Sequence, residues 1–133
     1  MPVHIYWEDS EKTVVRYDFQ GEWTWDELYA VYDQAIVMKR SVPHRVDIIV
    51  DMRDGSPIPA NALLHIKCLS EKQTPNTGLC VMVTDSAFTI SMMTMAIRIH
   101  QKVGDHFRLV NNVDDAHAMI HHARLEAAEK DAC

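Results

Sequence analysis

Thr13–Leu28, TVVRYDFQGEWTWDEL, is the stretch on which the fold turns. Its first half alternates, with Val15, Tyr17 and Phe19 on one face, as a half-buried β-strand does. Gly21 breaks the strand, and Thr24-Trp25-Asp26-Glu27 then reads as a capping box. In it the Thr24 hydroxyl accepts from the N–H of Glu27, and the Glu27 carboxylate accepts from the N–H of Thr24. Trp23 before the cap and Leu28 within the helix supply a hydrophobic staple, while Asp26 puts negative charge where the helix dipole favours it. The helix is expected to run to about Arg40, burying Trp25, Leu28, Tyr32, Ala35 and Ile36, with Pro43 preventing its continuation.

Upstream, Val3 to Glu8 is a second alternating run, with Val3, Ile5 and Trp7 on one face; Asp9 to Lys12 is a turn, so the chain opens on a β-hairpin. Downstream, Val46 to Met52 reads as a mostly buried strand, Arg53 to Pro59 as a turn and loop, and Ala60 to about Lys72 as a helix ended by Pro75 to Gly78. Leu79 to Val83 is continuously apolar, as a central strand covered on both faces requires. A helix over Ser86 to about Val103, a short strand Phe107 to Val110, and a last helix, capped by Asn111 to Asp115 and reaching about Ala128, complete the chain. The order β-β-α-β-α-β-α-β-α predicts a single-domain α/β sandwich whose core spans about residues 3–128, with a mixed, mostly parallel sheet of about five strands.

Composition narrows the function classes. At 133 residues and 47% hydrophobic, the chain suits one domain with a real core. The net charge is −6 and Lys39-Arg40 is the sole adjacent basic pair, which argues against a nucleic-acid surface or an anionic membrane. The opening MPVHIYWEDSEK lacks a basic stretch followed by an apolar run, and no stretch approaches the ~18 apolar residues of a membrane span, so a cytoplasmic protein is expected. Cys68, Cys80 and Cys133 match no metal or redox spacing; the first two read as small buried residues, the third as part of a frayed tail.

The helix over 86–103 carries two apolar stripes. Phe88, Met92, Met95 and Ile99 fall on one side, Ile90, Met93 and Ile97 nearly opposite. One stripe packs on the sheet; the other, taken as Ile90, Met93 and Ile97, then forms an interface with a second copy of the chain or with another protein. The alternative places that stripe beneath the last helix, against Ala116, Ile120 and Ala123.

The succession of elements, Trp7, Phe19-Gln20-Gly21-Glu22-Trp23-Thr24-Trp25-Asp26-Glu27-Leu28, and the strand ending at Asp51 resemble the STAS domain, and within it the SpoIIAA-like branch of the bacterial anti-sigma-factor antagonists, over about residues 3–125. The resemblance implies a regulatory module acting through protein contacts. It also implies a phosphoacceptor at the start of the helix after Asp51, where added negative charge alters partner affinity. This chain has Pro59-Ala60-Asn61-Ala62 there, so Ser56, in the preceding loop, is the displaced candidate, although Ser beside Pro is also ordinary turn chemistry. The same branch resembles a lipid-binding fold with an apolar cavity between sheet and helices. Met82, Met92, Met95 and Phe88 are candidates to line such a cavity, and ordinary core packing is the alternative use of those residues.

Signs of chemistry are sparse. His117 and His121 share a helical face, the spacing at which two imidazoles can hold one ion, yet no further ligand is evident, and an exposed helical pair is the plainer reading. His65 and His100 would do acid–base work only if the fold brought them together. Asp47, Asp51 and Asp54 flank a strand end, where Asp commonly caps backbone N–H groups and Arg53 can pair with them. No cofactor motif is present. The expectation is therefore a non-enzymatic STAS-like interaction domain whose partner is a second copy of itself or another protein, with a carrier of a small hydrophobic ligand as the alternative and an enzyme as the least supported reading.

Overall fold

The computed structural model describes residues 2–132; Cys133 lies outside them. Strands β1 (Val3–Trp7) and β2 (Val14–Gly21) form the expected antiparallel hairpin, and Val3 pairs with Phe19, Ile5 with Tyr17, Trp7 with Val15. Helix α1 (Trp25–Arg40) follows, and both reciprocal bonds of the Thr24 capping box are made. Then come β3 (Val46–Gly55), α2 (Ala62–Glu71), β4 (Thr77–Val83), α3 (Ala87–Ile99), α4 (Gln101–His106), β5 (Phe107–Val110) and α5 (Val113–Ala132). The five strands lie in the order β1-β2-β3-β4-β5, parallel except for the hairpin.

The sheet has two unlike faces. Strand alternation sends Val15, Tyr17, Ile48, Val50, Cys80 and Met82 into a large core shared with α1, α2, α3 and α4. It sends Val14, Ile49, Leu79, Val81 and Val83 to the other side, where Ala116 and Ile120 of α5, flanked by the half-buried Val113, Met119 and Ala123, complete a smaller core. The fold is thus the α/β sandwich its element order predicts, with four helices on one face and one on the other.

Several local expectations need correction. The stretch Arg53-Asp54-Gly55 is strand rather than turn, because Gln20 and Gly21 of β2 extend far enough to pair with Asp54 and Gly55. The helix expected over 86–103 is two helices, broken at an extended His100 (φ −109°, ψ 115°). The break folds α4 back until a Cβ at position 104 would stand 2.7 Å from the Ile97 carbonyl oxygen, so Gly104 is the residue that permits the approach.

Helix α3 buries neither apolar stripe as a whole. Thr89, Met93 and Ala96 face the core, a seam lying between the stripes; small Thr89 and Ala96 let the helix sit close, and the Thr89 hydroxyl accepts from the backbone N–H of Ile58. Met93, assigned to the outward stripe, is fully buried, and Ile97 is half-buried, so of the expected interface residues only Ile90 is exposed. Phe88, Met95 and Ile99, expected inward, are 54%, 46% and 60% exposed. Nor does α5 cover α3, since Ala116 and Ile120 pack on the opposite face of the sheet. On α1, Val31 and Lys39 are buried alongside Leu28, Tyr32 and Ala35, while Trp25 and Ile36 are only half-buried.

Candidate ligand cavity

Helices α1 and α2 lie side by side over the sheet, joined by side chains that alternate between hydrogen bonds and ring contacts. Trp25 Nε1 donates to the Ala60 carbonyl (2.7 Å), Tyr29 Oη meets His65 Nδ1 (3.0 Å), and Tyr32 Oη donates to the Leu69 carbonyl (2.8 Å). Trp25 also stacks on His65 at 4.6 Å and meets Trp23 edge-on, and Trp23 Nε1 holds the Ser56 carbonyl. This aromatic series ties the β3–α2 loop to the start of α1.

Between these helices and the sheet lies a cavity of about 60 Å³. Its floor is Tyr17, Phe19, Ile48, Val50, Cys80 and Met82, with Met52 and Phe107 at the margins. Leu28, Tyr32, Ile66 and Leu69 roof it, and Trp23, Trp25, Ile58 and Gln73 close the ends. No charged side chain is among its walls. The cavity nevertheless has polar character: Tyr17 Oη and Gln73 Oε1 are buried and have no hydrogen-bond partner among the described residues. Buried polar groups are almost always paired, and leaving one unpaired costs about 1–3 kcal/mol.

The chemistry of the wall is that of neutral groups. Burial pushes the Cys80 thiol up to about 12 and holds the Tyr17 and Tyr32 hydroxyls above their ordinary range, so all three keep their protons near neutrality. Just beyond the wall, Lys39 is wholly buried, donates to Thr77 Oγ1 (3.0 Å) and lies 5.6 Å from the Tyr32 ring centre; burial brings its ammonium down to about 8.

The other residues singled out by sequence fall elsewhere. Met82 lines the cavity, whereas Met92 is half-buried outside its wall and Phe88 and Met95 are exposed, Met95 bordering a shallow groove with Ile90, Thr94 and Ile99. Ser56 is half-buried, with its N–H bonded to the Gly21 carbonyl. His117 lies 3.4 Å from Glu8, His121 is exposed, and no group of three or more His, Cys, Asp or Glu among the described residues is arranged to hold a metal. His65 is engaged by Trp25 and Tyr29. Asp47 and Asp51 belong to two separate sites. Asp47, fully buried, accepts from Arg45, Arg124 and the Leu79 N–H, while Asp51 accepts from Arg16 and from both the backbone and the guanidinium of Arg53.

Tyr17, Gln73 and Lys39 are the residues that sequence reasoning missed. Tyr17 was legible as an inward-facing strand residue, but nothing local marks Gln73 Oε1 or Lys39 Nζ as buried. No family model, curated protein or solved structure matches the chain. No helix among the described residues is long and apolar enough to cross a membrane.

Proposed function

We propose that this domain is a non-catalytic binding module that takes a small, mostly apolar molecule into the cavity between the sheet and helices α1 and α2. The observation that carries the reading is the wall itself: sixteen residues without a charged side chain around a space of about 60 Å³ in an otherwise packed core. That space is under half of the roughly 150 Å³ engineered cavity that admits benzene, so the fitting molecules are small. Met52 and Met82 in the wall are unbranched and adapt to irregular shapes. Xenon, which enters dry apolar cavities, is the direct probe. Saturable shifts of the Met52 and Met82 methyl resonances under xenon pressure are expected; methyls that stay unmoved would overturn the reading.

The STAS-like contact module is the second reading, and its support is the exposed run of Phe88, Ile90, Met95 and Ile99 on α3. On this reading a second copy or another protein covers that helix, and Ile90→Asp with Met95→Lys abolishes an association seen by sedimentation. A wild-type protein that sediments as a monomer removes the homodimer.

A further inference from the structure

The polar atoms of the cavity specify more than an apolar guest. Tyr17 is 3% exposed and its hydroxyl has a proton to give; Gln73 presents a buried carbonyl oxygen with lone pairs to fill. Both belong to the cavity wall, and neither has a partner among the described residues. Every other polar group nearby is engaged or weak: Tyr32 Oη is bonded to the Leu69 carbonyl, and the Trp23 and Trp25 N–H groups are bonded to the carbonyls of Ser56 and Ala60. The buried unpaired atoms of the wall are therefore one strong donor and one strong acceptor in an apolar setting.

We infer that the cavity selects small uncharged molecules with a hydroxyl or primary-amide head on a short apolar body, the head accepting from Tyr17 Oη–H and donating to Gln73 Oε1. This inference rests on the proposed cavity function and narrows its ligand class. Charge decides against ions. A carboxylate would turn lone pairs toward the Gln73 oxygen and be desolvated among walls that hold no cation, since Lys39 lies beyond the wall with its ammonium on Thr77 Oγ1, and an ammonium would meet no carboxylate there. A pure hydrocarbon would leave both polar atoms unpaired, so it gains only from contact with the apolar wall. The protonated Cys80 thiol and Tyr32 hydroxyl keep the lining neutral near pH 7.

The test titrates the whole chain with ethanol, acetamide, acetate and xenon near neutral pH, following the Met52 and Met82 methyls by NMR. Ethanol and acetamide are expected to bind at least about tenfold more tightly than acetate. Tyr17→Phe and Gln73→Leu should each weaken ethanol and acetamide by about 3- to 10-fold, the worth of one hydrogen bond, while leaving xenon binding unchanged. Acetate binding as tightly as ethanol, or both variants retaining wild-type affinity for ethanol while xenon still binds, would overturn the head-group selection and leave the apolar cavity standing. Methyls that respond to none of the four probes would overturn both. The two substitutions remove unpaired polar atoms and are compatible with folding, and the unchanged xenon response verifies that the cavity is intact in each variant.

Discussion

Two buried polar sites, one on each face of the sheet, are treated in opposite ways. Beneath α5, Asp47 is fully buried and saturated: Arg45 Nε and Nη2 and the Leu79 N–H reach one carboxylate oxygen, and Arg124 Nε reaches the other. Beneath α1 and α2, Tyr17 Oη and Gln73 Oε1 are equally hidden and unpaired among the described residues. Asp47 binds the starts of β3 and β4 to the last helix, and its surroundings are complete. The Tyr17 side leaves its hydrogen-bonding capacity unused among the described residues, and it is on this unused capacity that the proposed ligand reading rests.

The sharpest way to break the comparison is to strip Asp47 of its cations. Arg45→Ala with Arg124→Ala should cost about 3–5 kcal/mol in urea unfolding, because it leaves a buried carboxylate uncompensated. A loss below about 1 kcal/mol would mean that the carboxylate was never dependent on them. Lys39 tests the opposite face. Replacing it with Met removes a desolvated ammonium held by one hydroxyl, and should stabilise the protein by about 1–3 kcal/mol at pH 7.

The pH dependence of Lys39 has a definite sign. Its folded pKa is depressed to about 8 from 10.5, so between those values the unfolded chain holds the extra proton. The penalty of burying the ammonium is complete below pH 8 and is relieved as pH rises above it. Cys80, whose thiol is pushed up, acts the other way above about 9, where the unfolded thiol ionises first. Taking wild type minus Lys39→Met isolates the lysine, and that difference in unfolding free energy should rise from pH 8 to 10; a flat difference would sink the assignment.

Smaller effects sharpen the contrast. Tyr17→Phe should raise the stability of the ligand-free protein by about 1 kcal/mol, since it deletes an unpaired buried hydroxyl, and lowered stability would show the hydroxyl to be already paired. Thr24→Ala, which removes one bond of the capping box, should cost about 1 kcal/mol, read from the shift in thermal midpoint. Ile90→Asp, on the exposed flank of α3, should change monomer stability by no more than about 0.5 kcal/mol.

The elements legible in the sequence are those whose causes are local. Alternation in Val15, Tyr17 and Phe19, the stop at Gly21 and the Thr24–Glu27 box each act within a few residues, and together they placed the hairpin, α1 and the order of strands and helices. The site was less legible. Met82 lies on the cavity wall while Phe88 and Met95 are exposed, because apolar periodicity ranks residues by greasiness whereas α3 docks through Met93 and the small side chains of Thr89 and Ala96. The break at His100 was likewise hidden, since no helix stop signal marks it and the close approach of Gly104 to Ile97 that accompanies it exists only in the folded chain.

Sequence alone determined the class of fold, through hydrogen bonds and side-chain periods that neighbouring residues settle among themselves. Tertiary structure decided which flank of α3 meets solvent, that Lys39 is buried beside Thr77, that Arg124 reaches Asp47 across 77 positions, and that Tyr17 and Gln73 share one wall. Those outcomes depend on packing between segments far apart in the chain, where the free energy belongs to the pair and neither segment's sequence carries it.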